Sequence, residues 1–399
     1  MELKNNKDLK KDIEWIEDGK PVGMYNMALE SFDNALEMDP KDVEAWNNKG
    51  YTLGMLGRHQ EALECLDKAL ELDPENANTW DNRGRVLKEL GKYQEAIECC
   101  DKALKIYPKY FTSLFNKGYA LRMLERYQEA IECYNRLLEL DSKHIDAWDS
   151  KGYVLVMVGR YQEASECYDR VLELDPEYVN AWYNRGYTLE MLGRYQEAIE
   201  CYDRVLELDP EYINAWQGKG YALETLERYH EAVESYAKVL ELDPKDIGAW
   251  FNKGNNLLRL ERYQEAIDCF DRVLELNSEY VNAWHGKGYA LERLGMYQEA
   301  LECCDKLLEL NPNDLHVLDT KGRVLVMLGR YQEALRCCDK LLELNPNDVY
   351  AWNNKGSVLA NLGKNQEAID CFDKALELDP SFEPAIKAKN DLSNQNHPE

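Results

Sequence analysis

The sequence predicts an all-α solenoid, a stack of helix hairpins, on three observations. A block of 34 residues recurs ten times and fills residues 43–382. One column of the block is glycine in every copy, from Gly50, Gly84 and Gly118 through to Gly356, and another is alanine, from Ala62 and Ala96 to Ala368. Inside each block, apolar residues recur three and four apart in two runs separated by a break, which is the spacing of one helix face. Units of this period bury their apolar faces against their neighbours, so one core runs along the stack.

Each element has a sequence reason. Residues 1–42 read as a degenerate N-terminal capping repeat. Its second half is helical in pattern, with Tyr25, Ala28, Phe32, Ala35 and Leu36 before Asp39-Pro40, while Asp18-Gly19-Lys20-Pro21 breaks any long helix in the first half. Residues 179–212 serve for the ten full blocks. Trp182, Gly186, Leu189 and Leu192 mark a first helix, which Gly193 ends in the left-handed conformation that glycine tolerates. Ala198, Ile199, Tyr202, Val205, Leu206 and Leu208 mark a second helix, stopped at Asp209-Pro210. Proline forbids continuation there and suits the opening of the next helix. Gly186 and Ala198 are expected where the two helices cross, with Tyr195 and Tyr202 as bulk around them, and Leu189, Leu192, Leu206 and Leu208 as shared core. Glu200 and Arg204, like Glu64 and Lys68, stand four apart as a weak ion pair on a solvated face. Residues 383–399 read as a C-terminal capping helix, Pro384 to Leu392, and a frayed tail.

The Trp182, Gly186, Tyr195, Ala198, Pro210 pattern resembles the tetratricopeptide repeat, TPR, across residues 43–382. The phrasing NKG…ECYDRVLELDP is similar to tandem TPR proteins of methanogenic archaea. The resemblance implies a right-handed superhelix with first helices on a concave inner wall and second helices outside. The chain departs from the pattern at Leu114 and Leu318 (for tryptophan), Ser142 and Ser278 (for proline), and Glu125, Glu227 and Glu261 (for the inter-helix glycine). A basic residue precedes the column glycine throughout, as in Lys49, Arg83, Lys117 and Lys219. Its stem is expected to pack between repeats and its head to pair with an acid of the preceding second helix.

Charge and motifs narrow the function. The formal net charge is −27, so backbone phosphates and anionic membranes are repelled. No apolar run suits a signal peptide or a membrane span, which points to the cytoplasm. All 12 cysteines fall in two adjacent columns that also accept serine, tyrosine, leucine and phenylalanine, so they read as packing. No P-loop, G-x-S-x-G, G-x-G-x-x-G or H-E-x-x-H occurs. His285, His316 and Asp319 form only a weak metal pattern. No catalytic residue, cofactor or metal is therefore expected. The expected partner is a protein or peptide, with basic character favoured by the acidic surface; the alternative is self-association, through apolar surface such as Phe32 and Leu36 that an incomplete N-terminal unit leaves available.

Candidate contacts lie on the first helices, which vary while the second helices hardly change. One column carries Asn48, Asn82, Asn116, Asn184, Asn252 and Asn354. The column resembles the ladder by which one member of that family holds extended peptide backbones, since a carboxamide both donates and accepts; the bland reading is local capping. A second column carries Tyr51, Arg85, Tyr119, Tyr153, Tyr187, Tyr221, Asn255, Tyr289 and Arg323. Tyrosine offers large contact area at low entropy cost, and packing between helices is its bland reading. Met55, Met123, Met157, Met191 and Met327 mix nearby with Glu190, Glu224, Glu292, Arg259 and Arg293. The lysine column by which chaperone-binding relatives grip a carboxylate reads Asn47, Asp81, Phe115, Asp149, Tyr183 and so on, with no lysine. That mode of binding is not expected.

Overall fold

The computed structural model describes residues 22–395, and every regular element among them is a helix. The helix break expected at Asp18-Gly19-Lys20-Pro21 lies outside the described residues. A helix at Val22–Met38 precedes the repeats, and one at Glu383–Gln395 follows them. Each repeat folds as a hairpin, such as Val179–Met191 with Tyr195–Leu208. The chain divides into two compact units, residues 1–209 and 210–399. The first holds the first five hairpins and the second holds the other five.

The packing logic is the same in both units. Within a hairpin, the column glycine lets the second helix approach. A Cβ on Gly186 would lie 2.8 Å from the Tyr202 ring and 3.2 Å from Cys201 Cβ. Gly152 meets Tyr168 and Gly254 meets Phe270 in the same way. The rings concerned are the largest fully buried side chains. Within each unit, the first helix of one repeat packs on the second helix of the one before. Adjacent first helices also touch, as Val43–Met55 does Ala77–Glu89 and Ile247–Arg259 does Val281–Arg293, more closely than second helices approach one another. First helices therefore form the inner wall within each unit.

Three polar devices fix the hairpins. Trp182 Nε1 donates to the Pro176 carbonyl at 2.9 Å, and Trp46, Trp80, Trp148, Trp216, Trp250, Trp284 and Trp352 bond the carbonyl six residues back likewise. At Trp148 and Trp284 the acceptors belong to Ser142 and Ser278, because a backbone carbonyl serves whatever the residue. The basic column pairs with an aspartate of the preceding second helix: Arg83 with Asp67 at 2.7 Å, Lys117 with Asp101 at 2.5 Å and Arg185 with Asp169 at 2.6 Å. Lys389 of the last helix joins Asp373 in the same register. The inter-helix turn is left-handed, with φ of 74° at Gly193 and 58°, 59° and 56° at Glu125, Glu227 and Glu261.

Four expectations are corrected. Proline does not open the following helix: Pro210 stays in the turn and the helix begins at Ile213. Arg204 pairs with Glu207 at 2.7 Å and Lys68 with Glu71 at 2.7 Å, not with Glu200 and Glu64, because helical side chains lean toward the N-terminus and bring the acid at i+3 back to the base. Leu192 and Leu208 are only half-buried, since each ends a helix and no further turn covers it. Leu36 is buried and Phe32 half-buried, so neither offers the open apolar surface expected of the N-terminal unit.

Candidate functional site

The inner wall owes its lining to helical spacing: the asparagine and tyrosine columns are three apart on the first helix, so they share a face. In the first unit, Asn82 and Asn116 are buried, and Asn48 and Asn184 are half-buried. Asn82 Nδ2 donates to Asn47 Oδ1 at 3.0 Å, and Asn116 Nδ2 to Asp81 Oδ1 at 3.4 Å. Asn184 bonds Asp149, whose carboxyl is otherwise pushed above the usual aspartate range by burial. Asn48 Oδ1 accepts from Asn47 Nδ2 at 3.3 Å. In the second unit, Asn354 Nδ2 donates to Asp319 Oδ1 at 3.1 Å, and Asn252, half-buried, accepts from Asn256 through its carbonyl. The ladder thus runs through the fold, each amide bonded to the residue 35 positions earlier where that residue is Asp or Asn. The signal was legible as the recurring pairs Asp81/Asn116, Asp149/Asn184 and Asp319/Asn354.

The tyrosine column is open. Tyr51, Tyr153 and Tyr187 in the first unit, and Tyr221 and Tyr289 in the second, are 39–49% exposed, while Tyr119 is half-buried. Arg85 and Asn255 are half-buried and Arg323 is exposed. Cations of the chain itself cover part of this surface. The Arg85 guanidinium lies 4.2 Å from the centre of Tyr51, and that of Arg122 lies 4.6 Å from Tyr119 and 5.0 Å from Tyr153. Lys88 sits 5.0 Å over Tyr119 and donates to Asn116 Oδ1. Each such contact contributes about 0.5–1 kcal/mol at an exposed site. Arg122 and Lys88 were missed in the sequence, because nothing in the spacing says which tyrosine a flexible cation will choose. The methionines Met157, Met191 and Met327 stand 50%, 40% and 58% exposed on the same helices.

The wall's carboxylates are already engaged. Glu190 accepts from the Tyr202 hydroxyl at 3.0 Å, Glu224 from Asn256 at 2.8 Å, and Glu292 pairs with Arg323 at 3.2 Å. Burial raises the Glu190 carboxyl, and the Tyr202 bond partly opposes it. The His285 and His316 rings lie 6.3 Å apart, and burial holds His285 below its ordinary value. Among the described residues no three His, Cys, Asp or Glu side chains gather at metal-binding spacing. Among them, too, no helix is long and apolar enough to cross a membrane.

Comparison with known proteins agrees with this geometry. Tetratricopeptide repeat families match residues 43–76, 75–143, 179–212, 213–246, 251–314, 316–348 and 349–382, and a TPR repeat family matches 152–193. Residues 25–56 match the protein prenyltransferase alpha subunit repeat. No curated protein sequence matches the chain. Among solved structures, YrrB, described as a TPR protein with an unusual peptide-binding site, is 27% identical over 48% of this chain and 99% of its own, with a TM-score of 0.43. MamA is 28% identical over 41% of this chain and 95% of its own, at 0.40. The C-terminal part of a TPR repeat-containing protein from Cytophaga hutchinsonii is 17% identical over 60% of this chain and 98% of its own, at 0.55. From the ten blocks in register, the hairpins they fold into and the family matches along residues 43–382 it follows that the chain belongs to the tetratricopeptide repeat family of protein–protein interaction scaffolds.

Proposed function

We propose that this chain is a non-enzymatic scaffold that holds an extended segment of a partner protein along the inner wall of its first helices. The observation that carries the reading is the open tyrosines of each unit, Tyr51, Tyr153 and Tyr187 in the first and Tyr221 and Tyr289 in the second, with Met157 and Met191 on the first helices of the first unit and Met327 on those of the second. Rigid aromatic rings and adaptable thioethers suit a peptide-binding surface. The asparagine ladder contributes chiefly by holding the wall in shape, since its donors are spent between repeats. A basic partner is favoured by the net charge of −27, through long-range attraction, rather than by the wall's own carboxylates.

Selection from a random peptide display library on the full chain tests this. Enriched peptides should lose at least tenfold in affinity when Tyr119, Tyr153 and Tyr187, or Tyr221 and Tyr289, are changed together to alanine, with the helical circular dichroism unchanged. Equal binding by both variants would defeat the groove reading. A second reading, self-association, is favoured by the terminal helix Val22–Met38, where Met24, Met27 and Met38 are 56%, 72% and 90% exposed. Light scattering decides it: a monomer at high concentration removes it.

A further inference from the structure

One column of the second helix changes size along the chain. It carries Tyr134, Tyr168, Tyr202, Tyr236, Phe270 and Phe372, all buried, and each ring packs against the column glycine of its own hairpin. At position 338 the column holds cysteine. A Cβ on Gly322 would find no atom of Cys338 within 4 Å; its nearest neighbour is Cys337 Cβ at 3.6 Å. In place of the ring there is a cavity of about 150 Å³ between the ninth and tenth hairpins. An apolar cavity of that order accommodates a benzene ring.

The cavity opens on the inner wall. Gly322, Cys338, Leu341 and Val358 lining it are buried, while Arg323 and Asn361 at its edge are exposed. The floor is thus apolar and the mouth polar. Asp319 and Asn354, bonded to each other, flank it. Cys100 stands in the same column of the second repeat, but there a Cβ on Gly84 would meet its sulfur at 3.2 Å, and Lys88, with its side chain only 15% exposed, donates to Asn116 beside it. The residue in the Lys88 column of the ninth repeat is the shorter Val326. The tyrosine row also lapses here, to Arg323 and Ser357.

We infer that this cavity is an anchor pocket for a phenylalanine side chain of the bound segment. The occupant follows from what fills the same space elsewhere: a six-membered ring donated by the chain itself. An outside ring enters from the wall with its tip against Cys338 and Leu341, where no polar partner awaits a hydroxyl, so phenylalanine fits better than tyrosine. The peptide backbone then lies at the mouth, beside Asn354 and Asn361, whose amide nitrogens are held by Asp319 and the Ser357 carbonyl and whose side-chain oxygens offer acceptors. The inference rests on the groove reading for its ligand, but the pocket is testable without it.

Fluorobenzene is the probe, followed by fluorine NMR on the full chain. The wild type should bind it saturably below its solubility limit. Cys338→Phe, which restores the residue found at positions 270 and 372, should weaken binding at least tenfold while the melting temperature holds or rises. Val326→Lys, which sets a long side chain on the pocket lining where the second repeat has Lys88, should weaken it as well and guards against misfolding of the first variant. No saturable binding to the wild type, or equal binding to both variants, overturns the pocket. In the peptide selection, a phenylalanine whose contribution disappears in Cys338→Phe supports the occupant; enriched peptides indifferent to that variant count against it. Fluorobenzene binding lost in the variants, with no peptide enriched on the wild type, keeps the pocket and rejects the groove reading.

Discussion

Gly186 and Gly322 occupy the same column and should answer the same substitution in opposite ways. At Gly186 an added methyl meets the Tyr202 ring at 2.8 Å, and the ring is locked in the core, so Gly186→Ala should cost about 1–3 kcal/mol. At Gly322 the nearest atom is at 3.6 Å, an ordinary contact, so the better helix propensity of alanine should prevail. Gly322→Ala should stabilise by about 0.5–1 kcal/mol. Urea titration of the two variants checks the contrast; a loss at both positions would mean that the cysteine-lined hairpin is packed as tightly as the tyrosine-lined ones. Glu190 gives a pH signature. Its carboxyl titrates above the ordinary value of 4.5 because burial penalises the charged form. The folded state therefore favours the proton, and that contribution is present at low pH and lost as pH rises through the raised value. Glu190→Gln keeps an acceptor for the Tyr202 hydroxyl without the charge. The variant should gain on the wild type as pH rises from about 4 to 7, measured by thermal melts across that range. A difference that does not vary with pH would contradict it.

Within each unit, the ion pairs of the basic column form where the chain supplies an acid 16 residues earlier, as Lys117–Asp101 and Lys321–Asp305 do at 2.5 Å. Asn135 stands where that aspartate belongs for Lys151, which instead lies 5.1 Å over the Trp148 ring. Asn135→Asp should add the missing pair. The lysines of the formed pairs are 21–26% exposed and the aspartates about half, so solvent screens much of the attraction. The gain should be at most about 1 kcal/mol and should shrink in concentrated salt. No gain at low salt would show that the pairs record proximity rather than stabilisation. The basic residue itself was legible as a constant column, and its partner was expected on the preceding second helix. Which of two acids a surface base would choose within one helix was not legible: Arg204 reaches Glu207 and not Glu200, a choice made by rotamers.

For the molecule as a whole, every cysteine is free and buried. Burial pushes the Cys133 and Cys167 thiols up to about 11 and Cys338 to about 12, and the remaining nine lie above the ordinary range as well. The thiolate is the reactive form, so the native chain should resist an aromatic disulfide reagent and release all 12 thiols only in denaturant. Rapid reaction of the neighbouring Cys303 and Cys304, or Cys337 and Cys338, in the native state would reverse the packing assignment of that column. The net charge of −27 acts over the same scale through self-repulsion.

The sequence by itself determined the hairpin, its period, the glycine and alanine at each helix crossing and the residues at the left-handed turns, because each depends on near neighbours and recurs ten times. Only the tertiary structure decided how the inner wall is used. It consumed the asparagine amides between repeats, laid Arg85 over the Tyr51 ring and Arg122 over the Tyr153 ring, and left a cavity beside Cys338. These outcomes join residues some 30 positions apart through flexible side chains. A column read one repeat at a time does not contain the competition among partners that settles them.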